Sequence, residues 1–169
     1  VSFSADLDEA ASLVTSAQGV VNGAVAALRD AGGVDLNQVL AYDVAHAASG
    51  VAIARSSVDY GRFGDTEARL ALVFVAHSLA DLAARVTGRE SQWGVSGDWF
   101  APFRNFTSRF RDPQFVASVA ETPGDRHLGE EFTLVSETFH RFAEQEVRPH
   151  AEHVHRTNGD IPESIIKGL

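Results

Sequence analysis

Three stretches of this 169-residue chain repeat small apolar residues at three- and four-residue intervals, and each ends at glycine. The first places Leu7, Ala10, Ala11, Val14, Ala17, Val21, Ala24, Val25 and Leu28 on one stripe, between Asp6 and Asp8 at its start and Gly32-Gly33 at its end. This spacing follows the 3.6-residue turn of an α-helix, whose positive end favours acidic residues and whose stop favours glycine in left-handed geometry. A second helix is expected from about Asp35 to Tyr60, with Val39, Leu40, Ala47, Val51, Ala54 and Val58 as its apolar positions and Gly61 and Gly64 after it. A third opens at Asp65-Thr66-Glu67, carries Leu70, Val73, Phe74, His77, Leu79, Ala80, Leu82, Ala83 and Val86, and stops at Gly88. Connections this short leave consecutive helices as neighbours, so residues 1–90 are expected to form an antiparallel up-and-down bundle.

From Ser91 the period is lost. Gln92 to Trp99 holds two glycines, and Pro102, Pro113 and Pro123 punctuate the chain beyond it, so residues 91–127 read as a linker with one short helix near Gln114–Ala120 and a turn at Pro123-Gly124-Asp125. A further long helix is expected after Gly129, begun by Glu130-Glu131 and carrying Phe132, Val135, Phe139, Phe142, Ala143 and Val147. Pro149 lacks the backbone donor and should kink or restart it, before Thr157-Asn158-Gly159-Asp160 ends it. Ile161-Pro162-Glu163-Ser164 then opens a last helix, which looks cut at Leu169. No stretch alternates as a β-strand does, so the fold class is all-α.

Composition narrows the partners. A formal net charge of −9 opposes a nucleic-acid footprint, which needs clustered Lys and Arg. Cysteine is absent, which excludes disulfides and thiolate metal sites and suits a reducing compartment. The N-terminus lacks a signal-peptide pattern and no apolar run approaches the ~20 residues needed to span a bilayer, so a cytoplasmic protein without membrane contact is expected. Methionine is also absent, position 1 included, so the chain reads as beginning inside a longer one.

Several residue groups invite a chemical reading. Asp43-x-x-His46 and His77-x-x-x-Asp81 each put an acid and an imidazole on one helical face, a spacing used by carboxylate-bridged metal sites in bundles. Such sites need several Glu and paired Glu-x-x-His units, which are missing, so a polar His–Asp contact fixing helix register is favoured over a metal. His150, His153 and His155, near Glu146 and Glu152, do not share one helical face and read as surface residues. Phe103 to Arg111 alternates aromatic and basic residues and could stack bases or grip a phosphate; the acidic chain favours Phe side chains docked on the adjoining domain and Arg side chains paired to carboxylates. Ser12, Ser16, Ser49, Ser56 and Ser57 have no base at a readable spacing, and phosphate loops, nucleophile elbows and zinc helices are absent. No catalytic, cofactor-binding or metal-binding residue is therefore assigned.

Leu134 to Leu169, with its Phe-, Ala- and Glu-rich helix, Val147-Arg148-Pro149-His150-Ala151, a polar turn and Ile161-Pro162 leading to Ile165, Ile166 and Leu169, resembles the opening helical domain of the acyl-CoA dehydrogenases. Residues 128–169 would then be the truncated start of that domain. The upstream residues Ala41 to His46, Asp59-Tyr60-Gly61, Glu67 to Leu70, Phe74-Val75-Ala76 and Gly88-Arg89-Glu90 leading to Trp93-Gly94 resemble a helical extension of the methylsuccinyl-CoA dehydrogenase type. The resemblance implies an enzyme that, as a complete protein, desaturates a short or branched acyl-CoA: a glutamate takes the Cα proton, FAD takes the Cβ hydride, and an electron-transfer flavoprotein receives the electrons. It also implies a homo-oligomer, with FAD and the active site outside this segment. The end of the third helix further resembles the closing helices of the family's C-terminal bundle, so the extension is a candidate for a degenerate copy of it. A non-catalytic helical interaction module is the alternative.

Overall fold

A computed structural model describes residues 3–120 and 124–168. Val1, Ser2, Leu169 and Pro123 of the expected turn lie outside the described residues. The described chain is all-helical, without a strand. It divides into two compact units, Val1–Gly124 and Asp125–Leu169.

In the first unit, α1 (Ser4–Asp30), α2 (Gln38–Gly61) and α3 (Asp65–Val86) form the expected bundle core. Contacts at the helix ends give their directions. Arg62, just after α2, pairs with Asp8 near the start of α1, so these two helices are antiparallel. Asp43 near the start of α2 pairs with Arg85 at the end of α3, so these two are antiparallel as well. The buried stripes are strict: Leu7, Ala10, Val14, Ala17, Val21, Ala24 and Leu28 on α1, Leu40, Val44, Ala47, Val51, Ala54 and Val58 on α2, and Ala68, Leu72, Val75, Leu79, Leu82 and Val86 on α3. Small side chains on all three let the helices approach closely. Gly61 marks the tightest point, where an added Cβ would lie 2.7 Å from Leu7 Cδ2 and 2.9 Å from Ala71 Cβ.

Some expected core positions turn outward. Val39 is 75% exposed, because α2 starts only at Gln38 and its stripe begins one residue later at Leu40. Val25, Leu70 and Phe74 are also exposed, and His77 faces solvent. On α3 the row running from Ala68 through Ala71, Leu72, Val75, Ala76 and Leu79 takes the inner face, which leaves Leu70, Phe74 and His77 on the opposite one.

The stretch expected as a linker is folded onto the bundle through residue 120. A 3₁₀ turn, Glu90–Trp93, is followed by α4 (Ala101–Phe110) and α5 (Pro113–Val119). Trp93, Phe103, Phe106 and Phe110 are buried in the same core as the three long helices. Gly94 makes this possible: its φ of +67° turns the chain, and its backbone passes against that of Gly23 on α1, where an added Cβ would lie 3.4 Å from the Gly23 carbonyl oxygen. From there α4 returns toward the start of α1, where Arg109 pairs with Asp6 and Glu9. In the first unit α1, α2, α3 and the short α4 thus run up, down, up and down, with α5 after them. Pro102 sits in the first turn of α4 and Pro113 in that of α5, positions where a missing N–H is tolerated, so these prolines start helices instead of interrupting them. The Asp112 carboxylate caps α5 by accepting from the N–H groups of Gln114 and Phe115. Phe115 packs edge-on against both Phe110 and Phe3.

α1 reaches, by length and apolar content, what a bilayer-crossing helix needs, because Ala, Val and Gly extend around it. Its inner stripe is buried against the other helices of the unit.

The second unit holds α6 (Glu130–Phe142), a π-helical turn at Ala143–Val147, α7 (Arg148–Thr157) and α8 (Glu163–Gly168). The wide turn falls directly before Pro149, where the proline ring and missing donor disrupt regular i to i−4 bonding, so the chain restarts without a break in helicity. Asn158, with φ of +49°, ends α7 in left-handed geometry. Phe132, Val135 and Phe139, spaced along one face of α6, are all more than 45% exposed.

Candidate functional site

The most developed polar cluster lies at the seam of α2 and α3. One oxygen of Asp43 accepts from Arg85 Nη1 at 2.9 Å and the other from Arg89 Nη2 at 2.7 Å. Arg85 also donates from Nε to Asp81 at 2.8 Å, and Arg89 Nη2 donates to the Arg85 carbonyl at 2.6 Å. The side chains of Asp43 and Arg85 are about four-fifths buried. The Arg89 guanidinium, its hydrogen bond above all, holds the Asp43 carboxyl below the usual aspartate range, with Arg85 adding to it and burial opposing it. The Asp81 hydrogen bond in turn raises Arg85.

This arrangement departs from the His–Asp contact read from the sequence. His46 is exposed and packs at a tilt against Tyr42 with ring centroids 4.3 Å apart, and His77 is exposed on the outer face of α3. Neither faces Asp43. The partners of Asp43 are arginines, which hold a carboxylate with fixed, permanently charged donors where a neutral imidazole would supply only one weak bond. Asp81 and Arg85, four residues apart, share a helical row on α3, and that spacing is the signal the sequence offers; Arg89 lies past the helix end, brought back by the turn at Thr87 and Gly88, whose φ is +79°. Among the described residues no group of three or more His, Asp or Glu is placed to hold a metal ion.

Beside this cluster, a cleft of about 670 Å³ opens between the end of α1, the start of α2 and the 3₁₀ turn. It is lined by the apolar Ala27, Ala31, Leu36, Val39 and Leu40 and the polar Asn37, Gln38, Arg89, Ser91 and Gln92. The Asn37 side chain donates to the Ala31 and Gly33 carbonyls and does not cap α2. A smaller cleft of about 240 Å³ lies at the other end, beside Phe3, Arg62 and Asp65.

The aromatic–basic patch is placed as the docking reading requires. Phe103, Phe106 and Phe110 point into the core, while Arg104 pairs with Asp98 and Arg109 with Asp6 and Glu9. Arg109 also lies over the Phe110 ring at 4.4 Å. No aromatic face of the three buried rings is left for a base. His150, His153 and His155 are exposed along α7, and Ser49, Ser56 and Ser57 bond back to the carbonyls four residues earlier, as small helix residues do. Ser16 does the same, and Ser12 lies within α1. The burial of Trp93 is invisible in the sequence, because the glycines that allow it also erase the helical period.

No family model, no curated protein and no solved structure matches this chain.

Proposed function

We propose that this chain is the N-terminal portion of a flavin-dependent acyl-CoA dehydrogenase of the extended, methylsuccinyl-CoA type. In this reading the first unit is a helical extension and residues 128–169 begin the dehydrogenase's own helical domain. The complete enzyme is a cytoplasmic homo-oligomer that desaturates a short or branched acyl-CoA and passes electrons to an electron-transfer flavoprotein. FAD and the reacting groups belong to other parts of that enzyme.

The observation that supports it most is the exposed face of α6, with Phe132, Val135 and Phe139 in a row on the very segment whose linear pattern resembles the family. Such a face suits burial against a further apolar surface, as in the opening helix of a larger domain. The partly buried cluster of Asp43 and Asp81 with Arg85 and Arg89 supports a scaffolding role for the extension, since its two carboxylates and two guanidinium groups pair with one another.

The test is the product of the complete reading frame. A yellow protein whose flavin absorbance bleaches on addition of an acyl-CoA supports the proposal, and a colourless protein without acyl-CoA turnover overturns it. The same α6 face also suits a non-catalytic interaction module, which would appear as a colourless oligomer.

A further inference from the structure

We draw no further inference here: the strongest candidate, the unpartnered apolar face of α6 formed by Phe132, Val135 and Phe139, carries nothing beyond the proposed function because nothing in the structure shows what covers it.

Discussion

Arg89 reaches across from the end of α3 to hold one oxygen of Asp43 at 2.7 Å, while Arg85, one turn earlier, holds the other. A single carboxylate therefore fixes the register of two antiparallel helices. Replacing Asp43 by Asn keeps the shape and removes the charge, leaving two guanidinium groups facing a neutral amide. The expected cost is about 1.5–3 kcal/mol, the range for hydrogen bonds to charged groups, read as a lower urea midpoint. An unchanged midpoint would show the cluster to be ornamental.

The same pair sets a pH dependence. Asp43 has a folded pKa held below its unfolded one, so its contribution is fully present above about pH 4 and is lost as the pH falls through the depressed value. Stability measured between pH 5 and pH 2 should fall less steeply in Asp43→Asn than in the parent chain. Parallel curves would mean that Asp43 titrates no differently in the folded and unfolded protein.

Thr107 on α4 is buried, and its hydroxyl has no hydrogen-bond partner. Valine has nearly the same shape without the unpaired oxygen, so Thr107→Val is expected to raise stability by about 1 kcal/mol. Loss of stability on thermal melting would show that the hydroxyl is satisfied in solution.

Gly61 has no room for a methyl group between Leu7 and Ala71. Gly61→Ala should destabilise the first unit by about 1–3 kcal/mol through overpacking, even though alanine is the better helix former. An increase in melting temperature would mean that the three helices can part at this point.

Residues 91–120 belong energetically to the bundle. Phe106 is fully buried, and Phe106→Ala is expected to cost about 3–5 kcal/mol. A fragment ending at residue 90 should accordingly be less stable than one ending at residue 124, and should bind a dye that reports exposed apolar surface. Equal stability of the two fragments would restore the linker reading of this stretch.

The long helices are legible because burial on one side leaves a periodic trace: the stripes from Leu7 to Leu28 and from Leu40 to Val58 can be counted off the chain. What escapes is whatever periodicity does not encode. Val39 and Phe74 carry the right chemistry one position away from the buried row, and only the final packing distinguishes them. Pro102 and Pro113 read as interruptions but act as helix starts, since proline's meaning depends on which turn it occupies. At the polar cluster the acidic partner, Asp43, stands out in the sequence, but its nearest candidate partner along the chain is a histidine. The arginines that hold it lie more than 40 residues away, on another helix and just past its end.

Arg109 meets Asp6 across 103 residues of chain. Phe115 closes over Phe3 in the same place. In a protein emerging from the ribosome in order, the first turn of α1 therefore waits for its partners until nearly the whole first unit has been synthesised. The first turn of α1 is among the last parts of the unit to be secured, and a pause or truncation before residue 110 would leave an open bundle with an uncovered apolar seam.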